Sequence, residues 1–359
     1  MKSKAAGLFL LISMAATWAQ DYKPAVPGYR YSFPRDYFNH EDYRTEWWYY
    51  TGNLKTANGH RFGYELTFFR QGISREPGKS PWLVRDVWMA HMALSDIDGQ
   101  RFYREERLNR SGPGLAGVNA SSGLLWNGNW QAVISAQTEE LRAVGDGFGF
   151  QLKLAPAKPP VIHGLNGVSQ KAEGDGHASH YFSLTRLTTT GEVDLGGKAY
   201  QVEGSSWMDH EFFTEPVSST EIGWDWLSAQ LEDGTELMIY RLRNNGSISP
   251  YSSGTYVDRQ GRSKFLSSQD FVMIPSADGW KSGHTNALYP LSWHLRIPEL
   301  GIDLEVTTRL RDQEMTGRVG PDYWEGAVDL AGSRNANVIH GVGYLELTGY
   351  ATGKAGAPK

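Results

Sequence analysis

Residues Trp47-Trp48-Tyr49-Tyr50-Thr51-Gly52-Asn53-Leu54 decide the fold, because the chain writes them a second time as Trp224-Asp225-Trp226-Leu227-Ser228-Ala229-Gln230-Leu231. In both copies Trp stands first, an aromatic residue third and Leu eighth. A turn signal follows each copy, Asn58-Gly59 in the first and Asp233-Gly234 in the second. Each turn leads into another strand-like run with a short basic end, Phe69-Arg70 or Leu242-Arg243. The offset is 177 residues, from Leu54 to Leu231. A repeat of that length points to two similar β-domains in tandem rather than a short-period solenoid. A second echo pairs Gly341 to Thr348 with Ala178 to Thr185.

Outward from these copies, strand signals recur along the chain. Val87 to Leu94 and Arg101 to Leu108 flank the turn Asp96-Ile97-Asp98-Gly99, and Asn127-Gly128 separates Leu124-Trp126 from Trp130-Ile134. No long amphipathic helix is written anywhere. The 13 Trp, 18 Tyr, 14 Phe and 41 Gly suit an all-β chain with large side chains to bury or a cavity to line. The expectation is two antiparallel barrels or sandwiches, residues 20–200 and 201–359, with a long Gly-rich loop from Lys158 to His177.

Residues 1–19 read as a cleavable export signal. Lys2 and Lys4 precede an apolar run from Leu8 to Ala16, and Thr17-Trp18-Ala19 supplies small residues for cleavage. That run is too short to span a bilayer, and no later transmembrane segment is expected. The chain has no cysteine, so an exported form relies on its cores for stability and has no site for lipoprotein acylation. The expected location is therefore periplasmic or secreted. A formal charge of −5 with both signs interspersed gives no basic block for nucleic acid.

Gly204-Ser205-Ser206-Trp207-Met208-Asp209-His210-Glu211-Phe212-Phe213 is the densest polar group, set at the expected domain junction. On a regular strand Trp207, Asp209, Glu211 and Phe213 share one face, while Met208, His210 and Phe212 share the other. Asp209 and Glu211 suit paired carboxylates, and His210 suits an acid or base near neutrality. The same residues would serve equally as a buried hydrogen-bond network locking the junction. Glu46, which shares a strand face with Trp48 and Tyr50, is a second acid in an aromatic setting. His91 is a further candidate. His177 and His180 stand three apart without a completing ligand set, so no metal is expected. No nucleophile elbow, phosphate loop or dinucleotide fingerprint is present, so no cofactor is expected.

Glu46-Trp47-Trp48-Tyr49, Tyr181-Phe182-Ser183-Leu184-Thr185-Arg186-Leu187 and Gly204 to Phe212 together resemble the carotenoid 1,2-hydratase superfamily, also called AttH-like or lipocalin-like. The resemblance covers nearly the whole chain after the signal. It implies tandem lipocalin-like domains with a hydrophobic cavity near their interface. It further implies either hydration of a carbon–carbon double bond in an isoprenoid, polyene or lipid-like ligand, or a non-catalytic carrier or accessory protein serving an ABC-type export system. Under it, Asp209, His210 and Glu211 form the catalytic group, and Glu46, Trp48, Trp207, Phe212, Trp226 and Tyr240 meet the ligand. The chain departs from the hydratases in reading Glu211-Phe212 where they carry Asn-Trp. It also lacks an acid in Tyr240-Arg241-Leu242, where they place one two residues after the Tyr. Either the proton donor is missing or its role has moved to Asp209 or Glu211.

Overall fold

The repeated aromatic segments are the middle strands of two large antiparallel sheets in a computed structural model that describes residues 22–75, 80, 82–215, 221–277 and 279–351. The expected signal peptide lies outside these residues. The first sheet contains β1 (Thr45–Lys55), β2 (Arg61–Gly72), β3 (Asp86–Asp96), β4 (Arg101–Arg110), β5 (Ala116–Asn119), β6 (Leu124–Asn127), β7 (Trp130–Ile134), β8 (Glu139–Val144), β9 (Phe148–Pro156), β12 (Ala178–Leu195) and β13 (Lys198–Phe213), with β10 (Val161–Ile162) and β11 (Ser169–Gln170) paired to β12. The second contains β14 (Glu221–Leu231), β15 (Glu236–Asn244), β17 (Ser253–Val257), β18 (Ser263–Ser267), β19 (Val272–Pro275), β22 (Trp293–Ile297), β23 (Ile302–Thr307), β25 (Tyr323–Arg334) and β26 (Asn337–Leu347), with β16 (Ser247–Ile248) and β24 (Glu314–Met315) at its margins. A small hairpin, β20 (Gly279–Lys281) and β21 (Leu288–Pro290), and two single 3-10 turns complete the described elements.

The strand orders show the internal repeat. The first sheet runs β4-β3-β2-β1-β13-β12-β9-β8-β7-β6-β5, and the second runs β18-β17-β15-β14-β26-β25-β23-β22-β19. Thus β1 and β14 occupy the same place, as do β2 and β15, β13 and β26, and β12 and β25. The first sheet nearly closes on itself: Asn109 Nδ2 donates to Asn127 Oδ1 at 2.6 Å, and the Arg107 guanidinium lies 4.0 Å over the Trp130 ring. The second sheet curves as a half-barrel. Each encloses its own apolar core, one around Trp48, Phe62 and Phe150, the other around Leu227, Trp293 and Leu345.

Two expectations change. The boundary expected at residue 200 moves to between Phe213 and Glu221, because β13 inserts between β1 and β12 at the centre of the first sheet. A reading in chain order places this strand last and so treats it as a junction. The second echo joins strands that do not correspond: Tyr344 lies on β26, the counterpart of β13, whereas Tyr181 lies on β12. The residue in the place of Tyr181 is Tyr323, on β25.

The outer face of β1 and β2 packs on β25 and β26. This explains why β1 is apolar on both faces, since one fills its barrel and the other meets the second sheet. The approach is close enough that a Cβ on Gly63 would fall 2.9 Å from both the Ala327 Cβ and the Tyr344 hydroxyl. Polar contacts tie the rim of the interface: Arg61 to Asp329 at 2.6 Å, Asn53 Nδ2 to the Gly343 carbonyl at 3.0 Å, and Gln230 Nε2 to the carbonyls of Thr185 and Ser206. The stretch expected as a long loop straps the halves together. Lys158 bonds Glu236 at 2.6 Å, His163 bonds Thr255 at 2.8 Å, and Ser169 meets the Tyr240 hydroxyl at 2.9 Å.

Candidate functional site

A cavity of about 280 Å³ lies between the two sheets, and the repeated strands build its walls. Corresponding positions of the two halves line it: Trp47 and Trp224, Tyr49 and Trp226, Thr67 and Tyr240, Phe69 and Leu242, Tyr181 and Tyr323, Asp209 and Glu346. Strand alternation gives this pattern, since every second residue of β1 and β14 points outward from its own sheet. The Tyr49 and Trp226 rings meet edge to face at 5.3 Å.

That alternation divides the Asp209-His210-Glu211 group. Asp209 and Glu211 line the cavity with Phe213, while His210 points the other way. Asp209 is held from three sides. Tyr181 donates its hydroxyl at 2.5 Å, Trp207 donates Nε1 at 2.5 Å, and Ser183 donates a third hydrogen bond. Burial pushes its carboxyl up to about 7, against the lowering effect of those donors. The Tyr181 hydroxyl also accepts a hydrogen bond from Trp226 Nε1 at 3.1 Å, so acid and aromatic wall form one network. Glu211 accepts from Ser179 and pairs with Lys171 at 3.3 Å, and the Lys171 ammonium lies 4.0 Å over the Tyr240 ring.

The sequence reading missed a second group of acids, contributed by strands far apart in the chain. Glu325 and Glu346 are cross-strand neighbours on β25 and β26, and Glu65 of β2 approaches them from the first sheet. Glu65 and Glu325 are buried and Glu346 is half-buried. Burial raises each carboxyl, Glu346 to about 7, Glu65 to about 8 and Glu325 well above the ordinary glutamate range. Mutual repulsion adds to the effect at Glu325. The Tyr49 and Tyr323 hydroxyls lie near enough to Glu325 to bear on its ionisation. Neither oxygen of Glu325 has a hydrogen-bond partner of good geometry, and the Tyr49 hydroxyl has none either. Behind Tyr323, its hydroxyl meets His91 Nδ1 at 2.6 Å, in a setting where burial depresses the imidazole to about 4.

His210, Glu46, Trp48 and Phe212 do not line the cavity. His210 Nε2 lies 2.8 Å from Glu46 Oε1, and His40 Nδ1 lies 2.7 Å from the same oxygen. The buried Arg70 guanidinium donates to Glu46 at 2.9 Å and to Asp86 at 3.0 Å. Burial alone would raise the Glu46 carboxyl, but Arg70 and the two histidines hold it well below the ordinary range. Trp48 packs on His210 and Trp88 in the barrel core, and Phe212 stacks on His40 at 3.6 Å. The catalytic role expected of His210 and the ligand contacts expected of Glu46, Trp48 and Phe212 do not fall at this cavity, because a one-residue step along a strand turns a side chain to the opposite face. Trp207 stands behind Asp209, while Trp226 and Tyr240 line the cavity.

Among the described residues, His40, Glu46 and His210 hold the one grouping whose ligand atoms come close enough for a metal, within 4.8 Å of one another. Arg70 already supplies the positive charge there, so the grouping is an ion network rather than a vacant chelate. His177 and His180 do not combine with it; His180 Nδ1 is bonded to the Gly167 carbonyl at 2.9 Å.

The AttH-like family model matches residues 24–350. The chain belongs to the AttH-like family. A crystal structure described as an AttH of Nitrosomonas europaea is 31% identical, with a TM-score of 0.82 over 92% of this chain and 99% of that one. Kievitone hydratase from Nectria haematococca superposes with a TM-score of 0.69 at 15% identity, over 92% of this chain and 98% of its own. Dehydratase asqC of Emericella nidulans is 24% identical over 209 residues, 55% of this chain and 57% of that protein, so the match spans little more than half of that relative. The AttH-like chain thus has the lipocalin-like fold and distant hydratase and dehydratase homologues. No helix among its described residues is long and apolar enough to cross a membrane.

Proposed function

We propose that this AttH-like protein binds an apolar, unsaturated ligand of the isoprenoid, polyene or lipid-like class between its two sheets, and adds water to a carbon–carbon double bond or removes it. The supporting observation is a cavity walled by indole and phenol rings that contains buried carboxyl groups raised into or above the neutral range. Protonating an alkene needs an acid that keeps its proton near neutrality and a surface that stabilises a cation. Glu325 fits the donor, since its buried carboxyl faces the cavity and is raised by burial and by the neighbouring carboxyls. It makes good the acid that Tyr240-Arg241-Leu242 lacks. In the forward direction the Glu325 carboxyl gives its proton to one alkene carbon, and the electron-poor carbon is stabilised by the faces of Tyr49 and Trp226. Water bonds to that carbon and its surplus proton passes to a carboxylate. Asp209, already accepting three hydrogen bonds, is suited to that second role. Dehydration follows the same steps in reverse.

In a second reading, a carrier that leaves the ligand unchanged, such as an accessory of an ABC-type exporter, uses the same cavity. The three hydrogen bonds that tie Asp209 in place favour this second reading, because they also serve a purely structural role. The apolar run near the N-terminus leads us to infer export to the periplasm or beyond.

The two readings separate on incubation with terminal isoprenoids in heavy-oxygen water. Labelled alcohol from the native protein, lost in folded Glu325→Gln and Asp209→Asn variants, supports hydration. Equal labelling by native and variant proteins rejects the acid assignment, and recovery of bound but unlabelled ligand favours the carrier.

A further inference from the structure

The cavity is unusual in its balance of charge. Among the described residues, Asp209, Glu211, Glu215, Glu221, Glu325 and Glu346 contribute six carboxyl groups to its lining, against a single cation, Lys171. Lys171 is committed to Glu211. At the other end, the charges bearing most strongly on Glu325 are further carboxyls, Glu65 and Glu346, and both Glu325 oxygens are buried without a hydrogen-bond partner. A buried acid cluster of this kind stays protonated until a cation joins it. The aromatic walls are already seen to accept one, since the Lys171 ammonium sits over the Tyr240 ring.

We propose that the ligand carries a positively charged nitrogen, as a protonated amine or quaternary ammonium on an apolar unsaturated body, and that this nitrogen seats at the Glu325 end of the cavity beside the Tyr49 and Tyr323 rings. The proposal rests on the cavity being the ligand site, and for such a ligand it replaces the proton-donor role given to Glu325 above, since a carboxylate paired with the ligand's nitrogen has no proton to give. It differs from acid catalysis in what completes the cluster. The ligand's own charge, rather than a retained proton, satisfies Glu325.

Binding then displaces protons. The groups facing Glu325 are Tyr49 of β1, Glu65 of β2, Tyr323 on its own strand, and Glu346 and Tyr344 of β26, with Asp209 further along the wall. None of these is a base that could hold the carboxyl ionised, so a cationic ligand gains affinity as pH rises through the range where the acids lose their protons.

The test compares two fluorescent polyenes of nearly the same shape, diphenylhexatriene and its trimethylammonium derivative, titrated against the full chain. The charged dye should bind at least about tenfold more tightly near pH 8.5, as expected for a desolvated cation among aromatic rings. That advantage should shrink toward pH 6, and Glu325→Gln should bring the charged dye's affinity down to that of the neutral one. Equal affinities at both pH values overturn the proposal while leaving the cavity reading intact. An advantage that persists in Glu325→Gln overturns the placement of the nitrogen. Failure of both dyes to bind overturns the cavity reading itself. Should Glu325→Gln not fold, the pH dependence in the native protein decides alone.

Discussion

Glu46 and Glu325 are both buried glutamates on central strands, yet their carboxyls are pushed in opposite directions. Glu46 shares its site with Arg70, His40 and His210, and stays ionised. Glu325 shares its site with two more carboxyls and the hydroxyls of Tyr49 and Tyr323, and keeps its proton. Burial penalises both charges. The partners decide which site becomes an ion network that holds the fold and which becomes a reservoir of acid facing a cavity.

The most severe way to break this comparison is to remove the counter-charge from the first site. Arg70→Met leaves Glu46 buried without its guanidinium and should cost roughly 3–5 kcal/mol of stability, read by urea denaturation. A loss close to zero would mean that the network does not hold the barrel.

The second site should show itself in the pH dependence of folding. A carboxyl raised in the folded state binds a proton that the unfolded chain has released, so its contribution to stability is lost as pH rises through the folded value. With Glu65 raised to about 8 and Glu325 higher, the fall begins once the unfolded carboxyls have ionised near pH 5 and should amount to roughly 2–3 kcal/mol between about pH 7 and 8 alone. The buried His91, His163 and His180 have depressed values and are neutral in both states across that window, so they add no slope. Glu325→Gln should flatten the curve. A native curve that is already flat would show that these acids find a counter-charge.

Smaller effects sharpen the division between strand faces. Trp226→Leu should weaken diphenylhexatriene binding by about tenfold through loss of a ring from the cavity wall. His210→Gln, on the opposite face of β13 from Asp209, should alter that affinity by less than about twofold even if it lowers stability. A large change in binding would place His210 back with the ligand.

Much of this was legible before folding. The twin aromatic strands announced two β-domains, and the period of two along Trp207 to Phe213 already separated Asp209 and Glu211 from His210. Treating those three as one catalytic group set that alternation aside. Glu46 and Trp48 share a face in the sequence, but no pattern within one strand tells which face is the barrel core and which the interface, since both are apolar here. Tyr323, Glu325 and Glu346 went unnoticed because single acids in aromatic strands look alike until their neighbours are known.

The sequence by itself determined the strands, the repeat and the faces on which side chains alternate, because these follow from local backbone geometry and from the need to bury apolar surface. Only the tertiary structure decided that β13 belongs to the centre of the first sheet, that the outer faces of the two sheets enclose a cavity, and that Glu65, Glu325 and Glu346 meet beside it. Ionisation depends on which charges stand within a few ångströms, and those neighbours come from strands that the chain brings together only on folding.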